Sequence, residues 1–215
     1  MVETHEGDGV PEPILDWGDE PERSGALKLG QTMPGTRLRV LERLSDGASG
    51  VVFRAEHVDL ERPIAVKILR RVVRSDEDRE RFLAEARLAT SIDSPHVVDV
   101  IDFGQLPDGR LWYAMELLDG EALCDVLFRE RRLPLARVFT LLRMACKGLG
   151  ATHARGMVHC DVKPQNLVLV QRGRYEQLVV VDFGIAQKIG ARPDTICGTP
   201  EYISPEQIDR SALDP

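Results

Sequence analysis

Residues 159–166 read HCDVKPQN, a run that sets an acid (Asp161), a base (Lys163) and an amide (Asn166) within six positions between two apolar stretches. Upstream, PLARVFTLLRMACKGLGATHARG (134–156) carries Leu135, Val138, Leu142, Ala145 and Leu149 at helical spacing and is closed by Gly156. Downstream, NLVLV (166–170) and QLVVVDFG (177–184) read as short strands, joined through QRGRYEQ, whose Gly173 suits a tight turn. The polar run is therefore a loop between a helix and a hairpin. It concentrates more chemistry than a connection needs.

Phosphoryl transfer requires an acceptor hydroxyl held in line, metal ions against the phosphate oxygens, and cations for the charge that develops. Asp161 supplies a base for the hydroxyl proton, Lys163 a cation for the transferred group, and Asn166 a neutral oxygen for Mg2+. Asp182, in VDFG (181–184), follows Asp161 by twenty-one residues at the end of the second strand, and Gly184 permits the bend that aims its carboxylate at the same metal. Two hard oxygen ligands plus phosphates suit Mg2+, which keeps its waters and needs no protein cage.

Further towards the N-terminus, RLRVLERL (37–44), GVVFRAE (50–56), RPIAVKILR (62–70), HVVDVIDF (96–103) and RLWYAM (110–115) have strand character, predicting a small antiparallel sheet. LSDGASGVVFRAE (44–56) places Gly47 and Gly50 between two of these strands, where missing side chains let backbone amides approach a phosphate; an ordinary hairpin would use them equally. Lys67, in IAVK (64–67), lies inside an apolar strand with Ala65 on the same face. It either meets an anion or snorkels to water. One helix interrupts the strands: Ser75 and Asp78 resemble a capping box, and Phe82, Ala86 and Ala89 form its apolar stripe. Glu85 falls on that stripe, and a carboxylate on a buried face demands a partner, which Lys67 can provide while still reaching a phosphate.

The formal charge of −7 is concentrated in residues 1–36, where eight acids stand against Arg23 and Lys28. The body is nearly neutral and lacks the basic excess of a nucleic-acid binder. That leader is rich in Gly, Pro and acids, and is read as a disordered tail, either a solubilising leader or a docking motif around ILDWGDE (14–20). Cys124, Cys146, Cys160 and Cys197 form no CxxC pair, which argues against zinc and against a stapled secreted domain and places the chain in the reducing cytoplasm. No apolar run has the length of a membrane span.

Taken in order, SDGASGVV, IAVK, Glu85, HCDVKPQN, DFG and GTPEYISPE (198–206) resemble the protein-kinase catalytic domain of the serine/threonine class, in a bacterial style. The resemblance covers roughly residues 37–215 and implies a two-lobed α+β fold. An antiparallel N-lobe with one helix would occupy 37–115, and a mainly helical C-lobe 116–215. It implies a transferase that moves the γ-phosphate of Mg-ATP to Ser or Thr of a protein substrate, with ATP and Mg2+ as cofactors. Met115 would be the gatekeeper, the backbones of Glu116 and Leu118 would bind adenine, Val52, Ala65 and Val168 would sandwich its ring, and Leu44, Ser45, Gly47 and Gly50 would lie over the nucleotide. Glu121 would reach the ribose, or simply answer a helix dipole.

Three positions depart from the family pattern. Ser45 stands where the first loop glycine is usual. Cys160 replaces the arginine that pairs with a phosphorylated activation-loop residue, so a phosphate on Thr195 would lack that bidentate partner and activity is expected not to depend on it. The family continues through further helices beyond SALDP (211–215), so the lower lobe is expected to be C-terminally truncated, which leaves a weakly catalytic nucleotide-binding module or a fragment of a longer kinase as other readings.

Overall fold

The computed structural model describes residues 27–215 apart from 48, 74, 184–185 and 194–197. Five strands, β1 (Leu38–Asp46), β2 (Gly50–His57), β3 (Arg62–Val72), β4 (Val100–Gln105) and β5 (Arg110–Glu116), form an antiparallel sheet in the order β1-β2-β3-β5-β4. One sheet face closes over Val40, Val51, Phe53, Val66, Ile68 and Trp112. The other, with Ala65, Val100, Tyr113 and Met115, turns towards helix α1 (Asp76–Thr90) and the cleft. Helix α1 starts as its sequence predicts: the Ser75 hydroxyl accepts the Asp78 amide at 3.1 Å, and three acids occupy the first turn.

Two expectations need correction in this upper lobe. Leu27 and Met33, assigned by composition to the disordered tail, are buried in the outer core, Met33 to 1% exposure. The segment folds back along β1: Gly30 donates to the Val40 carbonyl at 2.6 Å, and Val40 returns a bond to Gln31 at 3.0 Å. The packed body thus begins before residue 37, because two apolar side chains spaced six residues apart suffice once a sheet face is there to receive them. The ILDWGDE stretch lies outside the described residues. The run HVVDVIDF becomes a strand only from Val100. Its first half instead ties the two lobes, with Val98 donating to Val180 at 2.9 Å and Val180 to His96 at 2.9 Å.

Below the sheet lie α2 (Leu123–Glu130), α3 (Leu135–Ala154) and a three-stranded sheet of β6 (Gly120–Ala122), β8 (Leu167–Arg172) and β9 (Tyr175–Val180) in the order β6-β8-β9. Two residues each of β7 (Met157–Val158) and β10 (Gln187–Lys188) pair, and α4 (Pro205–Asp209) closes the described chain. Helix α3 meets β9 through Leu141 and Ala145, with Leu178 and Val180 opposite. Gly148 permits that approach, since a Cβ there would stand 2.5 Å from the His96 carbonyl oxygen. The apolar stripe read from sequence is only half buried. Leu135 and Leu142 are 75% and 55% exposed, because among the described residues nothing covers that side of α3. Among the described residues no helix is long and apolar enough to cross a membrane.

Candidate active site

Sheet register builds the upper wall of the cleft. Val52, Lys67 and Tyr113 are cross-strand partners on β2, β3 and β5, and Ala65 pairs with Met115 in the next row. Directly opposed residues emerge on one face. Ala65 and Met115 share a cluster with Val52, Leu118 and Val168, so the structure brings together the apolar positions expected around an adenine ring. Glu116 carries a backbone bond to Asp99, its amide donating to that carbonyl at 2.9 Å, and its carboxylate meets Arg172 at 3.3 Å.

The glycine-bearing loop has two distinct glycines. A Cβ on Gly50 would collide with the Ile68 carbonyl, so its small size serves the β2–β3 contact. Gly47 sits at the tip, its amide bonded to the Gly50 carbonyl at 3.0 Å. Arg70 stitches this tip to β3, through an ion pair with Asp46 and a 3.1 Å bond to the Gly47 carbonyl. Leu44 and Ser45 lie exposed at the end of β1. Glu121 is engaged by Arg129.

Lys67 is 3% exposed, and a cation so deep requires anions. Its Nζ pairs with Oδ1 of Asp182 and donates to the Ser49 hydroxyl at 2.8 Å. The expected partner is elsewhere: among the described residues no ion pair joins Lys67 to Glu85. Glu85 faces a small apolar cavity lined by Phe82, Ala86, Ala89, Val100, Tyr113 and Phe183. Burial there raises its pKa above the ordinary glutamate value, against the nearby charges of Arg81 and Lys188. Glu85 lies on the side of α1 that faces the sheet, while Asp182 and Ser49 occupy the Lys67 ammonium in this structure.

Asp182 receives a second donor that spacing does not disclose, the Tyr113 hydroxyl at 3.0 Å from Oδ1. Burial first, then the Asp182 charge and hydrogen bond, hold this phenol well above the ordinary tyrosine value, so it remains a donor. The Asp182 backbone is left-handed at φ 70°, as is Cys160 at φ 65°. Gly184, expected to supply the bend, lies outside the described residues, as do Thr195 and Cys197.

The lower wall is a closed network. Asp161 Oδ1 accepts from Thr199 Oγ1 at 2.7 Å, and Oδ2 meets Lys163 Nζ at 2.8 Å and Asn166 Nδ2 at 2.9 Å. Lys163 also donates to Thr199 Oγ1 at 2.6 Å. Burial alone would raise the Asp161 carboxyl; the bonds from Lys163 and Thr199, the Lys163 charge and the Asn166 amide outweigh it and hold the group below its ordinary value. Asn166 ends a short 3-10 turn (Pro164–Asn166), and its amide nitrogen also reaches the Asp161 carbonyl at 2.8 Å. Its side-chain oxygen, Oδ1, takes no part in these bonds to Asp161.

Two further ties hold this loop. His159 Nδ1 accepts the Asp161 amide at 3.2 Å, which leaves Nε2 as the donor to the Val181 carbonyl at 2.9 Å. Burial lowers the pKa of the ring and keeps it neutral. Cys160 is buried, and its carbonyl accepts from Gln207 Nε2 at 2.8 Å, joining the loop to α4. Thr199, Gln207 and Ser49 are contributions that sequence reasoning missed. Thr199 lies within the quoted GTPEYISPE motif and Gln207 directly follows it, and their polarity in that run is the available signal.

Among the described residues no group of three or more His, Cys, Asp or Glu forms a metal cage. The pair expected to meet a metal, Asp182 and Asn166, is a hard-oxygen donor set that fits a divalent ion carrying water and phosphate ligands of its own.

The family model for the protein kinase domain matches residues 38–215. The serine/threonine-protein kinase pkn3 of Myxococcus xanthus is 37% identical over 188 residues, 83% of this chain and 34% of that protein. PknA of Mycobacterium tuberculosis is 39% identical over 189 residues, 84% of this chain and 43% of that protein. The chain thus spans well under half the length of these curated relatives. The crystal structure of the Mycobacterium tuberculosis PknI kinase domain superposes with a TM-score of 0.69 at 29% identity, over 88% of this chain and 71% of that one. With the family model matching residues 38–215 and curated relatives at 37–39% identity over most of its length, the chain belongs to the protein kinase domain family, among relatives of the bacterial serine/threonine class.

Proposed function

We propose that the chain is the catalytic part of a serine/threonine protein kinase that transfers the γ-phosphate of Mg-ATP to a hydroxyl of a protein substrate. The observation that carries this reading is the Asp161 network. It holds an ionised carboxylate between a lysine, an amide and an alcohol, and Thr199 shows how a hydroxyl presents its proton to Oδ1. Asp161 takes the acceptor proton, and Lys163 neutralises the group in transit. Lys67 holds the nucleotide phosphates, which requires it to share or leave Asp182. Glu85 then becomes its partner by a movement of α1 towards β3. Asp182 and the Oδ1 of Asn166 would hold Mg2+, which supplies neutralisation of the phosphate oxygens.

Met115, Glu116, Leu118, Val52, Ala65 and Val168 are proposed as the adenine site, with Leu44, Ser45 and Gly47 over the phosphates. The proposed lobes divide at Met115, and a cytoplasmic location follows from the cysteine usage. Transfer of radiolabelled γ-phosphate from Mg-ATP to a generic protein acceptor tests the reading, with Asp161→Asn as the control. Label on serine or threonine in the parent and none in the variant supports it. Equal labelling in both overturns it.

A further inference from the structure

Within the buried run Leu111–Met115 of β5 the Tyr113 hydroxyl has a hydrogen-bond partner, whereas the other side-chain polar atom of that run, Trp112 Nε1, has none among the described residues. β5 reads RLWYAME, with Leu111 through Met115 all buried, and a phenylalanine would fill the same space. A buried hydroxyl is costly without a partner, and this one has Asp182 Oδ1. Lys67 binds the same oxygen. The two donors differ in freedom. Lys67 sits on a flexible stem and has to serve phosphates, whereas Tyr113 is fixed in a wall with Phe82, Val100 and Phe183. When Lys67 turns to a ligand, Tyr113 is the donor that stays. Fixing Oδ1 fixes the rotation of the carboxylate about its last bond, and hence the place of Oδ2.

We propose that Tyr113 is a positioning residue for the metal-holding carboxylate: through Oδ1 it sets the orientation in which Asp182 receives a divalent cation together with a nucleotide. The inference rests on the proposed kinase reading and adds a residue to its metal site. A partner that orients a metal ligand in this way typically changes metal affinity by about 10–100-fold.

The test is Mn2+ binding to the purified chain in the presence of ADP, followed by the electron paramagnetic resonance of free Mn2+, beside ADP binding without metal. Tyr113→Phe is expected to weaken Mn2+ binding by about 10-fold or more while leaving metal-free ADP binding unchanged. Tyr113→Met, apolar and accommodating, must show the same split, and stands in if the phenylalanine variant does not fold. Unchanged Mn2+ affinity would overturn the proposal, and so would a parallel loss of both affinities, which marks a merely structural tyrosine. Absence of Mn2+–ADP binding in the parent chain would instead sink the kinase reading itself.

Discussion

The two walls of the cleft are in different states of assembly. Below, Lys163, Asn166 and Thr199 all bond to the Asp161 carboxylate, and Lys163 also bonds to Thr199. Above, Lys67 is held by Asp182 and Ser49 while Glu85 faces an apolar cavity. The difference follows from chain geometry. Three of the four lower groups lie within six residues of sequence, so a loop and one turn place them. The upper pair requires a helix to take a particular position against a sheet, and packing leaves that position adjustable. On the proposed kinase reading, the group that accepts the proton is set by local sequence, and the phosphate clamp by the placing of α1 against the sheet.

If the lower wall is ready-made, removing its base should be the most damaging single change. Asp161→Asn should lower transfer by about 10²–10⁴-fold with nucleotide binding retained, measured by label transfer and by calorimetry. Retained transfer would show that the bonded network is scaffolding only. For the upper wall the leading effect is on stability. Lys67→Met leaves Asp182 facing Tyr113 without its cation, and breaking one side of a buried pair costs about 3–5 kcal/mol. Thermal melts should show a large drop that Lys67→Met with Asp182→Asn partly recovers. No recovery would mean that the pair is not coupled.

The lower wall also has a structural tie where the family pattern has a guanidinium. Cys160 lies buried at φ 65°, and its carbonyl is held by Gln207. Gln207→Leu removes that bond to a buried residue, at a cost of about 0.5–1.5 kcal/mol in a denaturant melt. Thr195→Ala should leave transfer in place, because no arginine precedes Asp161 to receive a phosphate. Loss of transfer with nucleotide binding preserved would show that loop phosphorylation acts through some other cation.

What was legible in sequence divides along the same line. HCDVKPQN, the Ser75 cap and the β8–β9 hairpin are short-range features, and local spacing determines them. Tyr113 reads as one more core aromatic in RLWYAM, since nothing nearby shows that its hydroxyl meets Asp182, sixty-nine residues away. Leu27 and Met33 look too sparse for a core because the sheet face that receives them comes later in the chain. The α3 stripe shows the limit from the other side. Periodicity reports that a face is apolar, not that anything in the same chain covers it, and Leu135 and Leu142 remain exposed.

The smallest predicted effect bears most directly on the contrast between the walls. Glu85 has its pKa raised by burial in the ligand-free arrangement, so the folded chain binds its proton more tightly than the unfolded chain does. For an acid displaced in that direction, the stabilising contribution is full below the ordinary glutamate value and is lost as pH rises through the raised one. Asp161 runs the opposite way, its contribution fading as pH falls, so only the difference between parent and variant isolates Glu85. Glu85→Gln, neutral at every pH, should therefore melt slightly above the parent at neutral pH, with the gap closing on acidification. Arg81 and Lys188, whose charges oppose the burial effect, keep that gap small. With Mg-ATP present the sign should reverse, because the parent then has a charged partner to offer Lys67 and the glutamine does not. A gap that is the same with and without nucleotide would mean that Glu85 never leaves its apolar cavity, and that the upper wall works without it.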